Sequence, residues 1–174
     1  GGRNMRSAIY RIQGLRQSAE KEISEAIETF QKALSYTRGD TSQASLYLDM
    51  AFAAYLVDLS TAVKFSRKAY QKNPSDQRTR NTYGGLSLSL ANARLDQKAV
   101  VEAIDYAYRV TTFGWDGRGE ALMTLATAYL HSDAEDALDK AYAAVQEAYQ
   151  INADRYWKEL RRLAELKGEF AYAL

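Results

Sequence analysis

A chain of 174 residues can bury a sizeable core as one domain or one short repeat array. Its 23 Lys and Arg against 22 Asp and Glu argue against a strongly basic nucleic-acid binder or an acidic tail. The lack of cysteine excludes disulfide staples and thiolate metal sites, and no apolar run approaches the roughly 18 residues of a membrane span.

The periodicity predicts a first helix over residues 4–18, with Met5, Ala8, Ile9, Ile12 and Leu15 on one face. A second is expected over 20–37, with Ile23, Ala26, Ile27, Phe30, Ala33 and Leu34 at helical spacing and Gly39 suited to its C-terminal end. A third spans about 42–57 and carries Leu46, Tyr47, Met50, Ala51, Phe52, Ala54 and Tyr55. Ser60 is placed to cap a fourth over 61–73, which closes at Asn73-Pro74 because proline disfavours helical geometry in the residue before it.

Ser75 or Asp76 opens a fifth helix to about 94, with Gly84-Gly85 in its middle, where small side chains allow close approach of a neighbour. Asp96 is read as the cap of a sixth, to about 112. Residues 113–119, Phe-Gly-Trp-Asp-Gly-Arg-Gly, form the one glycine-rich loop. A seventh helix covers about 118–130. Ser132-Asp133-Ala134-Glu135 has the form of a capping box for an eighth, to about 151. Asp154 opens a last helix that Gly168 ends. No β-alternation competes. Short turns make antiparallel neighbours, so about nine helices become stacked hairpins.

Ala69-Tyr70-Gln71-x-Asn73 returns 79 residues later as Ala148-Tyr149-Gln150-x-Asn152, twice a period of about 39. The second helices repeat a spacing: Ala26, Phe30, Ala33 and Arg38; Ala62, Ser66, Ala69 and Pro74; Ala103, Ala107, Val110 and Trp115; Ala141, Val145, Ala148 and Ala153. Among first helices, Leu122-x2-Leu125-Ala126-x2-Tyr129 repeats best. These positions resemble the tetratricopeptide repeat (TPR), with intervals of 36, 41 and 38 against its about 34 residues. The resemblance covers residues 20–154. It implies an all-α, TPR-like α-solenoid or superhelix in one domain. Residues 1–19 would be an N-terminal capping helix, 20–154 about four hairpin repeats, and 155–174 a C-terminal capping helix.

It also implies a non-enzymatic protein–protein interaction scaffold that holds a peptide or helix in a concave groove lined by first helices. The groove-facing candidates are Arg78, Asn81, Ser89 and Asn92 in the fifth helix, and Thr124, Thr127 and His131 in the seventh. Amide side chains can pair with a peptide backbone and a cation with a carboxylate. The Lys and Asn pattern of a dicarboxylate clamp is not found. The alternative is a ligand- or peptide-sensing domain of a larger signal-transduction or transcription regulator. Gly1-Gly2 reads as a cloning scar, which fits a piece of a longer protein; no signal peptide is seen, and a cytoplasmic location is expected.

Other signals read as structure. The loop at 114–119 could offer backbone N–H groups to an anion, but it lacks a strand–loop–helix setting and is read as a long turn with Trp115 packed across its hairpin. His131 beside Ser132 and Asp133 makes no triad. Asp136 with Asp139, and Glu25 with Glu28, are read as solvated faces, so no catalytic residue, metal or cofactor is expected. Charge is nevertheless segregated. Arg3, Arg6, Arg11 and Arg16 precede the first acid, Glu20, and Asp76 is the only acid among the cations of residues 64–80. Protein or peptide is the expected partner, nucleic acid and a membrane span are not, and self-association is left open.

Overall fold

The computed structural model describes residues 2–168, with side chains over 17–168 apart from Ser18. Eight α-helices and no strand occur among the described residues: α1 (Gly2–Tyr36), α2 (Asp40–Tyr55), α3 (Leu59–Lys72), α4 (Gln77–Asp96), α5 (Val100–Arg109), α6 (Arg118–Leu130), α7 (Ala137–Ile151) and α8 (Ala153–Leu166). They form two compact units, Gly1–Pro74 and Ser75–Leu174.

The helices expected at 4–18 and 20–37 are one helix, which is why eight are seen and not nine. Gln17-Ser18-Ala19-Glu20 contains neither glycine nor proline. A single serine does not stop a helix whose neighbours all favour it. Three antiparallel hairpins follow, α2–α3, α4–α5 and α6–α7. In the first unit α1 packs on α2 and α2 on α3; in the second, α4 to α8 pack in succession and α4 also meets α6.

The phased alanines explain the packing. Ala62, Ser66 and Ala69 in α3, Ala103, Ala107 and Val110 in and just after α5, and Ala141, Val145 and Ala148 in α7 are all at most 1% exposed. Small side chains at these contacts let paired helices approach closely, and Ser66 satisfies its hydroxyl on the Val63 carbonyl at 2.9 Å. The fourth set behaves differently: within α1, Ala26 and Phe30 are half-buried and Ala33 is exposed. In the second unit Leu122, Leu125, Val145, Tyr156 and Leu163 fill the space between these alanines.

Several helix starts differ from expectation for local hydrogen-bonding reasons. Asp58, not Ser60, caps α3 by accepting from the Ser60 and Thr61 N–H groups at 3.1 and 3.3 Å. Asp76, one of the two residues expected to open this helix, does cap α4, accepting from the Thr79 N–H at 2.7 Å. Asp96 belongs to the last turn of α4, and α5 starts at Val100. Ser132 donates its hydroxyl backward to the Tyr129 carbonyl at 2.7 Å, so the capping box does not form and α7 begins at Ala137. Asn152, not Asp154, caps α8 through the Arg155 N–H at 3.1 Å. Beyond α8, Gly168 has φ of 72°, as expected of a helix-ending glycine.

The glycine-rich loop is a packed turn, as read from the sequence. Trp115 lies so close to Gly84 and Gly117 that a Cβ on either would come within 2.4 Å of its ring. Its indole N–H donates to the Val110 carbonyl at 2.6 Å. The glycine in α4 therefore makes room for an indole, not for a neighbouring helix. Phe113 stacks on Tyr83 beside it, with centroids 5.7 Å apart.

Candidate functional site

The second unit carries a cleft of about 1240 Å³ between its two hairpin turns. One side is the end of α4 and the start of α5, contributing Asn92, Leu95, Asp96, Lys98, Val101 and Ile104. The other is the end of α6 and the turn after it, contributing Thr127, Tyr129, His131 and Asp133, with Lys140 from α7.

The turn at 97–99 is a Schellman end to α4. The Ala99 N–H reaches the Arg94 carbonyl at 2.8 Å and the Lys98 N–H reaches the Leu95 carbonyl at 2.9 Å. That motif puts its central residue in the left-handed region, where glycine is the usual occupant. Here it is Lys98, with φ of 60°. The turn directs the chain from α4 into α5 and leaves Val101 82% exposed at the cleft. An apolar side chain so open at the edge of a concavity offers contact area to a partner.

Hydrogen bonds brace the rim. Thr124 on α6 donates its hydroxyl to Asn92 Oδ1 on α4 at 3.2 Å, tying the two first helices together and leaving the Asn92 amide N–H groups for another acceptor. Lys140 holds Asp136 at 2.9 Å and lies over the Tyr129 ring at 5.7 Å. Its ammonium is held above the usual lysine range, first by the hydrogen bond to Asp136 and then by that carboxylate's charge.

The seven groove candidates separate into three groups. Asn92, Thr127 and His131 line the cleft together, and Thr124 lies buried behind Asn92. Ser89 is exposed on α4 and bonds to its own helix at the Gly85 carbonyl, 3.0 Å. Arg78 and Asn81 lie near the opposite end of the 20-residue α4. Asn81 donates to Asp116 at 2.7 Å and accepts from the Asp116 N–H at 3.1 Å, so it fastens the Trp115 loop. The cleft also uses Leu95, Lys98, Val101, Ile104 and Lys140, which lay outside the groove candidates. Reading Asp96 as a helix start concealed the Lys98 turn. The signal available was the sequence of residues 95–104, in which six apolar residues are interspersed with Asp96, Lys98 and Glu102.

No family model matches the chain, and no curated protein matches it. Similar solved structures include MamA, at 17% identity and a TM-score of 0.49, covering 88% of this chain and 84% of that one. MamA 41-end from Desulfovibrio magneticus RS-1 is similar at 17% identity and a TM-score of 0.43, covering 92% and 86%. TPR-like repeats of a Podosopora anserina kinesin light chain give 17% and 0.44, covering 94% and 90%. The chain's own three hairpins, paired through alanines at the phased positions, make it an all-α protein with TPR-like helical repeats.

Proposed function

We propose that the chain is a non-catalytic protein-interaction module that takes a peptide or short helix into the cleft of its second unit. The observation that carries this reading is the gathering of Asn92, Thr127 and His131 at one concavity with apolar side chains of α4, α5 and α6. Leu95, Val101, Ile104 and Tyr129 supply area for the apolar side of an amphipathic segment. The Asn92 amide supplies donors for its backbone. Lys140, engaged with Asp136 and Tyr129, braces the wall.

The test is to select peptides against the intact chain from a displayed library and titrate the best by calorimetry. Val101→Asp, and separately Asn92→Ala with His131→Ala, are expected to weaken binding at least tenfold with unchanged helix content. Asn81→Ala serves as a control for the opposite end of α4. Unchanged affinity in both cleft variants, or loss only in the Asn81 variant, overturns the assignment.

A further inference from the structure

The left-handed positions of the chain are not filled alike. Among the described residues three have positive φ: Gly39 at 94°, Gly168 at 72° and Lys98 at 60°. Gly39 lies between α1 and α2 and Gly168 follows α8, and glycine takes that conformation without a Cβ conflict. At the cleft the chain sets a lysine instead and gives up stability for it. A side chain kept where the backbone disfavours it points to a role for its functional group.

Lys98 also carries the uncommitted cation of this site. Arg94, one turn earlier on α4, pairs with Glu102 at 2.7 Å and donates to Gln97 at 2.9 Å. Lys140, on the other wall, is held by Asp136. The Lys98 side chain is exposed, and its ammonium makes no hydrogen bond or ion pair with a described residue. Leu95, three residues before it, and Val101, three residues after it, line the same cleft.

We propose that Lys98 receives a carboxylate of the bound segment, so that the occupant of the cleft is an apolar segment bearing one acid. The inference rests on the reading that the cleft holds a peptide, and adds the charge that this peptide carries. An ammonium flanked by apolar side chains matches a carboxylate in both charge and hydrogen bonding. Asp96 and Asp133 line the cleft without an ion pair to a described residue, so they repel a run of acids and select a single one. Neither has positive φ, so a site built around them for a cation lacks the backbone cost that marks Lys98. An Asp or Glu side chain and a free C-terminus offer the same carboxylate.

The probe is the tightest peptide selected against the intact chain from a random library displayed with free C-termini. Calorimetry compares its parent form, a form with its acidic side chain changed to the amide, and a form with an amidated C-terminus. Each is titrated into the parent chain, Lys98→Gly and Lys98→Gln. One of the two neutralised peptides should bind the parent chain about fivefold more weakly, and which one identifies the source of the carboxylate. Both Lys98 variants should weaken the parent peptide by the same factor and leave the neutralised peptide unaffected. Lys98→Gly should do so while raising the urea midpoint, which separates loss of binding from loss of fold. Full affinity in both Lys98 variants, or peptide and chain effects that simply add, overturns the proposal. So does a peptide whose binding depends instead on its own Lys or Arg and is lost in Asp133→Asn. Failure to select any peptide removes the cleft reading itself, and this inference with it.

Discussion

The two units use the same hairpin and reach different ends. In the second, α6 packs against α4, α5 and α7, and α7 is covered in turn by α8. Eleven buried residues there form one connected core. In the first, α2 packs between α1 and α3, and no described residue of α1 is fully buried. The charges diverge too: the second unit has twelve Lys and Arg against fifteen Asp and Glu, the reverse of the basic first unit. A hairpin covered by further helices can build a cleft with braced walls. In the first unit every described side chain of the outer helix α1 keeps some exposure.

The strongest way to break this contrast is at Trp115. Trp115→Ala removes the indole from between Gly84 and Gly117 and its hydrogen bond to Val110, and should cost the second unit about 3 kcal/mol in a denaturant titration. Gly84→Ala should cost about 2 kcal/mol, because a methyl there meets the ring and the facing Gly117 leaves the ring no room to withdraw. Gly85→Ala, whose methyl points into open space, should stabilise by about 1 kcal/mol through helix propensity. Equal effects at Gly84 and Gly85 would show that the indole does not lock the unit.

The helix caps provide a matched pair, one per unit. The Asp58 and Asp76 carboxyls lie below the usual aspartate range, chiefly through hydrogen bonds from the Thr61 and Thr79 hydroxyls. A folded-state pKa depressed in this way adds stability above about pH 4, which is lost as pH falls through the lowered value. Asp58→Asn and Asp76→Asn should keep most of the cap and flatten this acid dependence. Asp→Ala at either position should cost about 1 kcal/mol at neutral pH. Thermal melts across the acid range check both, and an unflattened profile would sink the assignment.

The smallest expected effect is at the cleft. Lys98→Gly should stabilise the second unit by roughly 0.5–1 kcal/mol, since glycine adopts the left-handed conformation without the Cβ conflict. A loss of stability there would mean that the lysine side chain contributes more than its backbone strain removes.

The hairpins were legible because alanine at a helix contact leaves a periodic mark. Ala62, Ala103 and Ala141 could be phased from spacing alone, and each is fully buried. The continuity of α1 was not legible: an amphipathic pattern with a serine between two halves reads equally as two helices or one. Helix starts were misread where two polar residues compete within three positions, as at Asp58 and Ser60 or Asn152 and Asp154, since the winner depends on which backbone N–H groups face it. Asn92, Thr127 and His131 were chosen by position on first helices, and the three line one cleft. Lys98 and Val101 were missed because their exposure follows from a turn geometry that lysine rarely adopts.

Both tryptophans, Trp115 and Trp157, lie in the second unit, and the first has none. Trp115 is hydrogen-bonded to Val110 and pressed against two glycine backbones, whereas Trp157 is 44% exposed. Indole emission therefore reports on the second unit alone, while far-ultraviolet ellipticity follows the helices of both. Recording the two signals through one urea titration turns Trp115 into a native, label-free probe: coincident curves mean a single cooperative transition, and separated curves resolve two unfolding steps.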